Sequence, residues 1–355
     1  MAEYRNRRKQ EERIKAVENG RRAQMDERSK RAQMERKRRT RRKKQRRRVW
    51  ISALVEVLIL AVLALAFCWD RGLSAKVSGV LGIFDRPPVK ELDVTGVNSS
   101  NIVLMDVKSG IVIGDLNGKE QIYPASMTKI MTAIVALEAF SDLDHEITLS
   151  ENIFYALDGQ DATQAGFQPG ESVRVRDLVY GVMLPSGAEC CLALADEVSG
   201  SEEAFVAKMN QKAKSIGMKN TNFMNSTGLH DSEHYSTAYD MALLLKYALH
   251  NDAFRDVIES HFHSTPATNV HPDGITYYST MFKNMSDTSV TGGEILGGKT
   301  GYTSEAGHCL ASFAQIYDRE YILVTAGAAA DATGVPHILD AKTIYNRLGE
   351  AVVKK

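Results

Sequence analysis

The sequence predicts an α/β (α+β) protein: one sheet built from segments at both ends of a domain, helices packed between them, and a transmembrane helix ahead of it. Three observations carry that prediction. Apolar β runs flank a short turn at 101–116 ("NIVLMDV", "KSG", "IVIGDL"), and β signals return only late, in "ITYYST", "GHCLASFAQI" and "REYILVTAGAA". Between these runs come the helical patterns "SMTKIMTAIVALEAF", "VRDLVYGVML", "ECCLALADEV", "SEEAFVAKMNQKAKSIG" and "TAYDMALLLKYALH", and a last helix is expected over 337–352. Strands at both ends with helices between them close into one mixed sheet. The third observation is an uninterrupted apolar stretch near the N-terminus.

That stretch, "WISALVEVLILAVLALAFCW" from Trp50 to Trp69, has 20 residues. At the α-helical rise it is about 30 Å long, the thickness of a bilayer's hydrocarbon core. A buried core helix is the alternative, but tryptophans at both ends and the run "RRKKQRRR" just before it favour a membrane span. Glu56 lies near the first interface, where an ionised group costs less than at the midplane. The basic flank marks the cytoplasmic side, so the chain after residue 70 is expected outside the cell. A signal peptide cut near Ala64-Leu65-Ala66 is the alternative, but a basic lead of 48 residues is far longer than usual for one.

Charge is unevenly spread. The formal net charge is zero, yet residues 1–48 hold 22 Lys and Arg against 7 Asp and Glu, a net of +15 that the remainder balances. This lead has no apolar stripe, and it repeats itself weakly, "RRAQMDER" at 21–28 against "KRAQMERK" at 30–37. Such a segment builds no core; it is expected to be disordered, to bind anionic lipid headgroups, and to have no specific nucleic-acid partner. After the span, residues 70–95 contain Gly, Ser and Pro87-Pro88, the composition of a linker. The expected organisation is therefore a basic tail (1–48), a signal-anchor (49–69), a linker (70–95) and a catalytic domain (96–355).

The four cysteines do not read as a disulfide framework: Cys68 lies in the span, Cys190 and Cys191 are adjacent, and Cys309 is remote. Buried free thiols are the favoured reading, with a bridge from Cys309 to one of the pair as the alternative. Their spacing matches no zinc site.

Chemistry concentrates at "YPASMTKI". Pro124 suits the start of a helix, and the helix that follows is apolar on nearly every side, the pattern of one buried in a domain centre. Polar residues at its start then need a reason. Ser126 and Lys129, at i and i+3, share a face, so an unprotonated lysine can take the serine's proton. Burial and nearby positive charge lower a lysine's pKa far enough for that task. A Ser-x-x-K pattern alone is weak. Downstream, however, "LPSGAEC" places Ser186 at the mouth of a helix, and "GGKTGYTSEAG" places Lys299-Thr300-Gly301 in a β run. Ser and Lys, then Ser, then Lys-Thr-Gly, at separations of 60 and 113 residues, form a specific three-part signature.

With these motifs, and with "FQPGESVRVRDLVYGVMLPSG", "NSTGLHD" and "HYSTAYDMALL", residues 96–350 resemble the serine D-alanyl-D-alanine carboxypeptidases, the low-molecular-mass penicillin-binding proteins. The resemblance implies a β-lactamase/transpeptidase-like fold, with a mixed, mostly antiparallel sheet flanked by helices and an all-helical subdomain. It implies that Ser126 attacks the carbonyl of the penultimate D-alanine, that Lys129 takes its proton, and that Ser186 relays a proton to the leaving amine. Lys299 and Thr300 would hold the terminal carboxylate. Gly301 would leave room for substrate at the strand edge, and backbone N–H groups of Ser126 and Tyr302 would form an oxyanion hole, where one donor is worth about 100-fold in rate. Neither cofactor nor metal is implied. The implied partners are a peptidoglycan stem peptide ending in D-Ala-D-Ala and β-lactams as covalent inhibitors, at a bacterial cell membrane with the catalytic domain outside.

Two departures qualify the resemblance. The family's Ser-x-Asn motif is Ser186-Gly187-Ala188 here, followed by Glu189, so a carboxamide that would bond substrate and the first lysine is missing. The chain also stops at Lys355, soon after its last helix, where many relatives carry a β domain and a C-terminal anchor. A D,D-endopeptidase or transpeptidase, or a peptidoglycan-binding homologue without turnover, are the alternatives. A serine β-lactamase needs a Glu-x-x-Leu-Asn motif, which the sequence lacks. His261, His263 and His271 in "HFHSTPATNVHP" suggest a metal site, but read better as a loop or edge strand; His234 and Asp240 read as structural.

Overall fold

A computed structural model describes residues 89–353 other than 286. The predicted tail and span lie outside the described residues; among those described, no helix is long and apolar enough to cross a membrane.

The first strand explains the architecture. β1 (Asn101–Asp106) is buried along its whole length. Its alternate residues serve two cores: Val103 and Met105 face the helical layer, while Ile102 and Leu104 face the last helix. A strand buried on both faces reads as a continuous apolar run, and "NIVLM" does. β1 pairs with β2 (Val112–Leu116) on one side and with β10 (Arg319–Ala328) on the other. β9 (Gly307–Ile316), β8 (Gly293–Thr303) and the two-residue β7 (Ser289–Val290) complete the order β2-β1-β10-β9-β8-β7. Every pairing in this sheet is antiparallel, where a mixed, mostly antiparallel sheet was expected. The cause is connectivity: hairpins join β1 to β2 and β7 through β10, and β10 returns beside β1 in the opposite sense. β7 pairs only with Gly293 and Glu294, so no strand covers the outer edge of β8 beyond them among the described residues.

One face of the sheet carries the helices between β2 and β7: α1 (Lys129–Ala139), α2 (Glu151–Leu157), α3 (Val175–Met183), α4 (Ala188–Ser199), α5 (Glu202–Ile216), α6 (Ala238–Ala248) and α7 (Asp252–Ile258). In α1 every residue from Lys129 to Leu137 is buried, as an all-apolar helix requires. The helical region is not purely helical. It holds two ribbons, β3 (Glu146–Thr148) with β4 (Ser172–Arg174), and β5 (Phe262–Ser264) with β6 (Thr276–Tyr278), followed by the short α8 (Thr280–Asn284).

The opposite face is covered by α9 (Pro336–Val353), whose Ile338, Ala341, Ile344, Tyr345 and Leu348 pack on Leu104, Leu310 and Leu323. Residues 89–95, expected as the end of the linker, belong to this core. Val89 and Val94 are buried, and the Leu92 N–H donates to the Ile113 carbonyl at 2.6 Å.

Asp340 fastens α9 to the approach of β1. Its Oδ1 accepts from the Asn98 N–H at 3.0 Å and Nδ2 at 2.9 Å, and its Oδ2 from the Ser99 N–H at 2.7 Å and Oγ at 2.6 Å. Both Asp340 and Ser99 are buried, so removing the carboxylate strands donors away from water. Asp340→Ala is expected to lower unfolding stability by about 3 kcal/mol, read as a fall in the urea midpoint with an unchanged slope.

Candidate active site

Ser126 stands in a single 3₁₀ turn, Ala125–Thr128, that runs directly into α1. Ala125 holds φ +47°, in the left-handed region that costs a side-chain-bearing residue about 1 kcal/mol or more. The loop Asn225–Gly228 over-determines that conformation. Asn225 Oδ1 accepts from the N–H of Thr227 and of Gly228, at 3.2 and 2.7 Å, and shapes a tight turn. Gly228, at φ +78°, passes so close to the turn that a Cβ there would lie 2.0 Å from the Ala125 carbonyl oxygen. Only glycine fits both demands.

The same loop holds the lysine. Lys129 is 3% exposed, its Nζ donates to the Thr227 carbonyl at 2.6 Å, and it lies 3.1 Å from Ser126 Oγ. Burial lowers the Lys129 pKa, while Cys191, Glu189 and Cys190 pull it partly back up. The amine therefore sheds its proton below the ordinary lysine value of 10.5.

A second serine and lysine face this pair. Ser186, also left-handed at φ +73°, puts Oγ 3.0 Å from Lys299 Nζ, and that nitrogen also donates to the Thr300 carbonyl at 2.8 Å. Lys299 is buried, and desolvation together with the charge of Lys129 drives its pKa well below the ordinary value. Thr300 Oγ1 lies 2.8 Å from Thr280 Oγ1 at the start of α8. Gly301 brings β8 against the serine: a Cβ there would meet the Ser126 nitrogen at 3.0 Å and the Met127 nitrogen at 3.2 Å. Tyr302, next along the strand, is exposed. All seven residues singled out in the sequence thus lie along one cleft between the 3₁₀ turn, the uncovered edge of β8 and the start of α4.

The family model of D-alanyl-D-alanine carboxypeptidases, peptidase S11, matches residues 89–330. The chain belongs to that family. Similar curated proteins include D-alanyl-D-alanine carboxypeptidase DacF of Bacillus subtilis, 34% identical over 238 residues, covering 65% of this chain and 58% of the relative. DacC of Escherichia coli is 33% identical over 253 residues, covering 68% and 59%. The chain thus spans somewhat under three fifths of the length of these relatives. Among solved structures, the DD-transpeptidase of Streptomyces K15 superposes with a TM-score of 0.64 at 26% identity, covering 73% of this chain and 98% of that one.

In this member of the S11 family the altered second motif has a definite geometry. Ala188 is buried at the first turn of α4, and its N–H donates to the Thr163 carbonyl at 2.8 Å. Glu189 does not replace the missing carboxamide. Its Oε1 accepts from the N–H of Ala165 at 2.6 Å and of Gly166 at 2.9 Å, tying the 163–166 loop to α4, while Oε2 has no hydrogen-bond partner among the described residues. Burial raises its pKa. Cys190, Cys191 and Cys309 are buried free thiols, and burial lifts Cys191 and Cys309 to about 12, so they fill space.

The histidines of 261–271 go to three separate partners: His261 stacks on Phe282, His263 bonds Asp177 at 2.6 Å, and His271 bonds Glu171 at 2.8 Å. Asp240 accepts from the Asn220 N–H and Thr221 Oγ1. Thr227 and Gly228, which lie in the quoted "NSTGLHD" but were given no role there, and Thr280, which no motif contains, are the further neighbours of the site. For the first two, the Asn-x-x-Gly spacing in "NSTG" was the available turn signal.

His234 supports the serine turn from below. Its Nδ1 accepts the Met224 N–H at 3.2 Å, which leaves the proton on Nε2, 2.9 Å from Thr128 Oγ1. Burial lowers its pKa from 6.5 to about 4. The unfolded chain therefore takes up a proton that the folded one refuses. The stability His234 contributes is complete above pH 6.5 and is lost as pH falls toward and through 4. Denaturation followed from pH 7 to 4 is expected to show this loss, up to about 3 kcal/mol, and His234→Gln to flatten it.

Proposed function

We propose that the chain is a membrane-anchored serine D-alanyl-D-alanine carboxypeptidase that removes the terminal D-alanine from peptidoglycan stem peptides. The observation that carries this reading is the 3.1 Å approach of Ser126 Oγ to an amine whose burial favours its neutral form. In the acylation step Ser126 Oγ bonds to the carbonyl carbon of the penultimate residue as its proton moves to Lys129. The N–H groups of Ser126 and Tyr302 receive the developing oxyanion. Ser186, paired with Lys299, passes a proton to the leaving amine, and the C–N bond breaks. Lys299 and Thr300 bind the terminal carboxylate with a cation and a hydroxyl, the two groups that recognise a free chain end. Water then adds to the ester and frees Ser126, with Lys129 again as base. β-Lactams acylate the same oxygen.

The anchor is residues 49–69, with the basic tail 1–48 on the cytoplasmic side against anionic lipid and the catalytic domain outside the bacterial membrane. What supports it is the length of the apolar run and the charge on its flank.

A fluorescent penicillin is expected to label the wild type covalently, and a D-Ala-D-Ala pentapeptide to yield free D-alanine; Ser126→Ala abolishes both. The acylation rate is expected to rise with pH as the amine loses its proton, with a midpoint below 10.5. Lys129→Arg, which cannot shed its proton, should slow acylation by about 1,000-fold at any pH. Undiminished labelling of Ser126→Ala rules the mechanism out.

A further inference from the structure

Behind the cleft, on the other face of β8, three rings lie in contact. Gly301 faces the turn that carries Ser126, so the next residue, Tyr302, directs its side chain to the face that α9 covers. There its ring lies 4.6 Å from that of His308, its cross-strand neighbour on β9. The His308 ring is in turn parallel to that of His337, at an interplanar angle of 6° and 5.0 Å between centroids. His337 stands in the first turn of α9. The three rings thus connect the end of β8, by way of the first residues of β9, to the start of the last helix.

His337 is held by ring contact rather than by hydrogen bonding at Nδ1. It is 4% exposed, and that nitrogen has no partner among the described residues, a cost the fold carries. Burial lowers the His337 pKa to about 4 and lowers that of His308 as well, so both rings are neutral at neutral pH and lie face to face without repulsion.

This end of the sheet needs such a support. The ladder between β9 and β10 loses its register between Thr325 and Ala328, where His308 pairs. On the outer side of β8, no strand reaches this end among the described residues. The last residues of β8 are therefore bonded on one side only, to a strand that is itself bonded irregularly to the next. A shift of about 1 Å in a group that serves a reacting centre costs up to about 100-fold in rate. We propose that His308 and His337 are positioning residues for the oxyanion hole: their stack, pressed on the Tyr302 ring, holds the Tyr302 N–H where the developing oxyanion requires it. Neither imidazole faces the cleft, and both act through Tyr302. The inference rests on the peptidase reading above and extends the machinery of acyl transfer through the sheet to α9.

The test uses the detergent-solubilised full chain as wild type, His337→Ala, His308→Ala, the double variant, and His337→Phe, which keeps a flat ring. Each preparation is titrated to completion with a fluorescent penicillin, so that rates are expressed per reactive site. D-alanine release from a D-Ala-D-Ala pentapeptide gives kcat and KM. A peptide boronic acid, whose tetrahedral adduct with Ser126 places an oxygen in the hole, gives an inhibition constant. Each alanine variant is expected to lower kcat about tenfold with KM within about twofold, and to weaken the boronic acid about tenfold. Because the two rings act as one stack, the double variant should lose no more than either single one. His337→Phe should stay within about twofold of the wild type throughout. Fewer reactive sites at an unchanged kcat per site overturn the proposal, since they mean a structural role alone. So does a fall in kcat without weaker boronic acid binding, or a phenylalanine variant as impaired as the alanine one. A wild type that labels and releases D-alanine, with alanine variants equal to it, removes this inference alone; a wild type that does neither removes the peptidase reading as well.

Discussion

The structure depends on one constraint: an amine must be kept in the domain interior with little to compensate its charge. Lys129 meets a carbonyl oxygen and a hydroxyl oxygen, and among the described residues no carboxylate pairs with it within hydrogen-bond distance. A salt bridge would have held the proton in place, and desolvation alone loosens it. This requirement explains why α1 is apolar on every side and why it runs through the middle of the domain rather than over its surface. It also explains the length of the connection that brings the Thr227 carbonyl across 98 residues of sequence to receive the amine.

The second lysine follows from the first. Lys299 is buried in the same cleft, and each ammonium group would repel the other, so the pair resists carrying two protons at once. Against burial, Cys191, Glu189 and Cys190 draw the Lys129 pKa partly back up, and Cys191 does the same for Lys299. The Glu189 carboxyl is the acidic group nearby, and it is directed to the backbone of Ala165 and Gly166.

Much of this was legible from the residues. The hairpin at 101–116, the buried helix after Ser126 and the last helix each carry a clear period or apolar run, and the three short motifs name the residues that the fold then gathers. What escaped has no local signature. Val89 and Val94 are single apolar residues among Pro, Lys, Glu and Asp, so nothing in their spacing distinguishes a segment laid on a sheet from a spacer. The wholly antiparallel pairing follows from which strands end up as neighbours, and β1 beside β10 is a contact between opposite ends of the domain. Thr280 escaped for a similar reason: its meaning comes from the strand it touches, 20 residues on.

Ala125 and Ser186 share a further property. Both carry side chains in a backbone shape that prefers glycine, and each borders the cleft. The free energy stored there, on the order of 1–3 kcal/mol for each, comes from packing elsewhere in the domain. The fold thus stands short of the robustness its own core could give it, and the shortfall is concentrated around the two hydroxyls. Drift toward a sturdier protein would relax these positions first, and with them the reactivity they hold in place.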